Sequence, residues 1–99
     1  MLFAIYAFDG PNGAAIRAKT RPAHLQYLKD AGSRIKLVGP ITEGGEGGKP
    51  VGTLVVIDAA SEAAVKLFAE NDPYAHAGVF ERVDIHPFKA VMGAWLPQE

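Results

Sequence analysis

The chain contains no cysteine, which removes a disulfide framework, a thiolate nucleophile, an iron–sulfur cluster and a cysteine zinc site together. Such a composition suits a reducing cytoplasm, the expected location. Charge of one sign is also lacking: 10 basic residues face 11 acidic ones, for a net charge of −1. No global field draws the chain to nucleic acid or to an anionic membrane, so neither is expected as a partner. Long hydrophobic runs are absent as well. The apolar opening meets Asp9 far short of a membrane span, without a basic n-region or a small-residue cleavage site, and reads as a strand. Serine is confined to Ser33, in a turn, and Ser61, at a helix cap, and neither sits in a nucleophile elbow.

Several motifs fail on spacing. His24, His76 and His86 are too scattered for a compact zinc pattern, although Asp72 and His76 stand four apart, and no metal site is expected. Gly48-Lys49-Pro50 lacks the Ser or Thr of a phosphate loop and precedes a strand. Residues 51–57 carry no aromatic on which a base would stack. Arg17, Lys19 and Arg21 form a local basic group that reads as a solvated helix face.

What is present is one ordinary core. With 99 residues, 48% hydrophobic and 21% charged, the chain is a single domain over residues 1–99, small enough that pairing with a second copy would help it. Residues 2–8 form an aromatic-rich run closed by the turn formers Asp9, Gly10, Pro11, Asn12 and Gly13, which predicts a central strand. Residues 14–31 are helix formers, but Pro22 is expected to break the ladder and open a fresh helix that stops at Gly32. Residues 34–41 predict a strand with Ile35 and Leu37 on one face, and residues 51–58 a second one. The glycine-rich residues 42–50 between them read as a mobile hairpin connection. Ser61 caps a helix that ends near Asn71 and buries Val65, Leu67 and Phe68. Residues 79–86 alternate as the last strand, before Pro87 and a tail with Phe88, Val91, Met92 and Trp95.

That order is βαββαβ, the ferredoxin-like split βαβ arrangement: an antiparallel four-stranded α+β sheet with its helices on one face. The first and third strands are apolar on both alternations, so the second face needs a cover, and a homodimer is the economical one.

His24 is the most informative polar residue. It shares a helical stripe with Leu28 and Ala31, where burial favours the neutral ring that a general base requires. The plainer alternative is a core histidine bonded to a carbonyl. Asp72 is the favoured carboxylate partner, and with Pro73 behind it also reads as the cap of a short helical turn over Tyr74, Ala75 and His76. Asp9 is a third candidate, or a turn residue; Tyr74 offers a hydroxyl, or packing; His86 reads as exposed.

Taken in order, Ile5-Tyr6-Ala7-x-Asp9, Arg21-Pro22-Ala23-His24-Leu25, Gly39-Pro40, Asp72-Pro73-Tyr74, Ala77-Gly78-Val79 and Pro87-Phe88-Lys89 resemble the YCII-related (YciI-like) family along almost the whole chain. The resemblance implies a dimeric α/β barrel with a pocket centred on a histidine and an aspartate, which fall on His24 and Asp72. It further implies Asp9 as a pocket residue. Related dimeric barrels perform cofactor-free lyase, isomerase, dehalogenation or oxygenation steps on small molecules, so no metal or organic cofactor is expected. The expectation is therefore a small enzyme with His24 and Asp72 as catalytic acid–base pair, Asp9, Arg21 and Tyr74 holding substrate, and residues 42–50 gating the pocket. A non-catalytic dimeric module that binds a small ligand or a partner protein is the alternative.

Overall fold

The computed structural model describes residues 1–96; residues 97–99, the end of the expected domain, lie outside the described residues. Four strands, β1 (Leu2–Asp9), β2 (Ile35–Thr42), β3 (Pro50–Asp58) and β4 (Phe80–Phe88), form one antiparallel sheet in the order β2-β3-β1-β4. The helices α1 (Gly13–Ala31), α2 (Glu62–Glu70) and the single turn α3 (Pro73–His76) pack on one face. This is the expected ferredoxin-like α+β arrangement, with the two apolar strands β1 and β3 at its centre. No helix among the described residues is long and apolar enough to cross a membrane.

Strand alternation assigns the faces. Phe3, Ile5 and Ala7 of β1 stand opposite Ile57, Val55 and Thr53 of β3, and all six are buried beneath the helices. Val65 and Phe68 of α2 complete the core. Leu2, Ala4, Tyr6 and Phe8 point the other way, opposite Asp58, Val56, Leu54 and Gly52. Nothing among the described residues covers that second face, where Tyr6 is 44% and Phe8 36% exposed.

Helix ends follow the residues that mark them. Ser61 accepts a hydrogen bond from the Ala64 amide at 3.2 Å, and Gly32, at φ 59°, takes the left-handed turn that ends α1. The expected break at Pro22 does not occur. Helix α1 runs through it for 19 residues, because Arg17 before it and His24 after it are both anchored in the interior, and two buried anchors on one face outweigh one lost backbone bond. Pro22 itself is exposed, so its ring displaces only solvent-side backbone.

Three further expectations are corrected. Leu67 is 60% exposed, since α2 turns Val65 and Phe68, with Ala69 beside them, toward the core instead. A register shift between Ile35 and Leu37 puts Ile35 opposite Ile57 but Leu37 opposite Val56, so the two residues face opposite sides. Strand β4 does not stop before Pro87 but continues to Phe88. It is an edge strand, where a missing amide donor is tolerated.

Candidate active site

The inner face of the sheet turns polar at one end. By alternation Asp9 follows Phe3, Ile5 and Ala7 onto the core side, and a carboxylate there needs a buried cation. Arg17 supplies it: Nε and Nη2 donate to Oδ2 and Oδ1 of Asp9 at 2.7 and 2.8 Å, and Nη2 also donates to Thr53 Oγ1 at 2.8 Å. Side-chain exposure is 9% for Arg17 and 6% for Asp9, so this fork-to-fork pair is largely desolvated. Gly13 makes the approach feasible, because a Cβ there would lie 2.6 Å from Asp9 Oδ2. Arg17 is therefore no part of a solvated basic face; Lys19 and Arg21 are exposed as expected.

Two turns along α1, His24 faces the same side. Its Nδ1 lies 2.8 Å from Asp72 Oδ1, with both side chains under a tenth exposed. Asp72 also caps α3, its Oδ1 accepting from the Tyr74 amide at 2.9 Å. Capping and pairing thus fall on one oxygen. A carboxylate only accepts, so Nδ1 carries the proton in the neutral ring and the lone pair sits on Nε2. The Tyr74 ring stacks on the imidazole at 3.8 Å between centroids and 10° between planes, and the Arg17 guanidinium lies 4.9 Å from the same ring. Phe80 packs against Tyr74 in a T-shaped arrangement, 6.2 Å between centroids. These contacts leave the imidazole little freedom to rotate.

A cavity of about 350 Å³ opens between α1 and the β2–β3 side of the sheet. Arg17, Arg21, His24, Thr53 and Tyr74 line it, with Leu28 and Val38 among its apolar walls. The cavity-facing residues of α1 (Ala14, Arg17, Ala18, Arg21, His24, Leu25 and Leu28) are spaced as one helical stripe. Arg17 Nη1, the Tyr74 hydroxyl and His24 Nε2 bond to no described protein atom, while no fully buried polar side-chain atom lacks a partner. These three groups thus meet solvent, and all three residues line the cavity.

Among the sequence candidates, His24, Arg21 and Tyr74 border the cavity, Asp72 stands behind His24, and Asp9 stands behind Arg17 with both oxygens occupied. The sequence marks Arg17 only as part of a basic group on a solvated helix face, and does not single out Thr53. The signal for Arg17 was available: it precedes His24 by seven residues, two helical turns, and so shares its face. From the glycine-rich connection, among the described residues, only Pro50 lines the cavity, with Gly39 and Pro40 of β2 on the other side of it. The connection is closed by Glu43 N donating to Lys49 O at 3.0 Å and Thr42 Oγ1 donating to Gly45 O at 2.6 Å.

Two titrating groups elsewhere are perturbed. Burial raises the Tyr27 phenol, reinforced by the Asp72 charge and opposed by Arg34. A hydrogen bond from the N-terminal ammonium, 2.7 Å away, lowers Asp58.

Comparison with known proteins places this arrangement. Protein YciI of Escherichia coli is 38% identical, with 92% of this chain and 99% of that protein covered. An uncharacterized protein of Haemophilus influenzae is 34% identical over the same shares of the two chains. Among solved structures, the 5-chloro-2-hydroxyhydroquinone dehydrochlorinase TftG of Burkholderia phenoliruptrix, in complex with 2,5-dihydroxybenzoquinone, superposes with a TM-score of 0.84 at 34% identity, covering 90% of this chain and 94% of that one. An antibiotic biosynthesis monooxygenase shares the fold, with a TM-score of 0.54 at 12% identity, over 93% of this chain and all of that one. The model of the YCII-related domain matches residues 1–89, and the chain belongs to that family.

Proposed function

We propose that the chain is a homodimeric, cofactor-independent enzyme that abstracts a proton from a small organic molecule and so drives an elimination or isomerisation, with His24 as base and Asp72 as its orienting partner. One observation carries this reading: a buried His24 Nδ1–Asp72 Oδ1 pair at 2.8 Å in a ring that lines the cavity and leaves Nε2 unbonded. Nε2 takes the substrate proton, the electron pair left behind forms a new π bond, and the leaving group departs with its bonding pair. Asp72 balances the imidazolium that forms. Arg17 Nη1, the Tyr74 hydroxyl and the Thr53 hydroxyl are placed to hold substrate oxygens, with Asp9 keeping Arg17 in position.

The TftG relative, named as a dehydrochlorinase acting on a chlorinated hydroxyhydroquinone, supports elimination of a halide as the first reaction to test. Chloride release should be measured over a panel of chlorinated hydroxyquinols. The expected result is turnover by the wild type and a loss of at least about 100-fold in His24→Gln, with an unchanged circular-dichroism spectrum. Equal turnover in both proteins contradicts the assignment.

The second copy belongs on the outer sheet face, where Tyr6, Phe8, Leu37 and Phe88 are 36–49% exposed. Sedimentation equilibrium should give twice the 10.5 kDa of one chain, and Phe8→Asp should shift the species toward the monomer. A wild-type monomer at tens of micromolar contradicts the dimer.

A further inference from the structure

We infer that the cavity selects an organic anion and that Arg21 is the residue that reads its charge; this rests on the reading of the cavity as a substrate site. No carboxylate lines the cavity among the described residues, whereas Arg17, Arg21 and His24 do. Their charges are not equivalent. The charge of Arg17 is cancelled by Asp9, which holds it through two hydrogen bonds. His24 faces Asp72, so its charge, once protonated, is matched as well. Arg21 forms no ion pair with any described residue. Among the described residues it is thus the one cation lining the cavity that has no carboxylate paired with it.

Position agrees with that role. Arg21 lies three residues before His24 and four after Arg17, on the stripe of α1 that faces the cavity. Neighbours at these spacings have Cβ atoms about 5–6 Å apart on one helix face, so a ligand that touches Arg17 or His24 lies within reach of the long Arg21 side chain. An oxygen held near Tyr74 and Arg17 Nη1 therefore leaves the far end of a single ring beside Arg21, while Leu28 and Val38 offer that ring apolar surface. Arg21 is itself exposed, so it meets the ligand at the mouth and attracts it from solution. The class selected is a small planar acid: one polar group for the interior, one ionised group for Arg21.

Isothermal titration with 3-hydroxybenzoate and its neutral counterpart 3-hydroxybenzamide tests this on wild type, Arg21→Gln, Arg21→Lys and His24→Gln. In the wild type the benzoate should bind about tenfold tighter than the amide at low salt, a gap that narrows as salt is raised. Arg21→Gln should remove the preference while leaving the amide affinity within about threefold, and Arg21→Lys should keep most of it. His24→Gln should retain the preference, so charge selection and proton transfer are read independently: loss of turnover bears on His24, loss of preference on Arg21. Equal binding of the two probes by the wild type, no binding of the benzoate at 10 mM, or a preference that survives Arg21→Gln would each overturn the inference.

Discussion

Asp9→Asn isolates the Arg17–Asp9 pair with the smallest change of shape. It leaves a guanidinium that is 9% exposed without its counter-ion and turns an amide NH₂ toward donors where a carboxylate oxygen had been. Breaking a buried ion pair from one side costs about 3–5 kcal/mol. Because Arg17 borders the cavity, water reaches part of it, and about 2–4 kcal/mol is the better expectation here. With a urea dependence of about 1–1.5 kcal/mol per molar for a chain of this size, the unfolding midpoint should fall by roughly 1.3–4 M. The assay is equilibrium urea denaturation at neutral pH followed by circular dichroism. Adding Arg17→Met to an Asp9→Leu background should recover most of the loss, since the two changes remove both charges. A midpoint shift below about 0.5 M in Asp9→Asn would refute the reasoning, and so would a double variant no better than the single one.

Pro22→Ala should stabilise the protein by about 1–3 kcal/mol, because α1 is already continuous there and the change restores a backbone donor in an exposed position; urea denaturation checks it. Ser61→Ala should cost about 1 kcal/mol by removing the acceptor for the Ala64 amide, measured in the same way. The Tyr27 phenol, raised by burial and by the Asp72 charge, should ionise above the range of free tyrosine in an ultraviolet titration, with that step absent from Tyr27→Phe. Because the folded value lies above the unfolded one, the corresponding stability is complete below the usual tyrosine range and is lost as pH rises through the folded value.

The sheet was legible because β1 and β3 carry apolar residues on both alternations, and such strands must be central whatever surrounds them. Gly32 and Ser61 marked helix ends through local chemistry that tertiary structure did not override. Pro22 misled because its cost is local while its compensation is not: the buried Arg17 and His24 hold α1 straight from either side. Arg17 was missed for a related reason, since a charged helix residue reads as solvated unless its counter-ion is known. The strand alternation that buries Ile5 and Ala7 also turned Asp9 inward, and following it one step further would have demanded a cation. Between Ile35 and Leu37 the register shift reverses the facing of side chains, which no periodicity within β2 reveals.

Long-range ¹⁵N–¹H correlation of the His24 ring in the neutral form tests most directly whether this histidine is poised as a base. With Nδ1 donating to Asp72 Oδ1, the expected spectrum is that of the Nδ1–H tautomer, with Nε2 at the chemical shift of an unprotonated nitrogen, and Asp72→Ala, which removes the acceptor, should disturb that preference. A His24 ring found as the Nε2–H tautomer, or one indifferent to Asp72→Ala, would contradict a lone pair aimed at the cavity and with it the acid–base role.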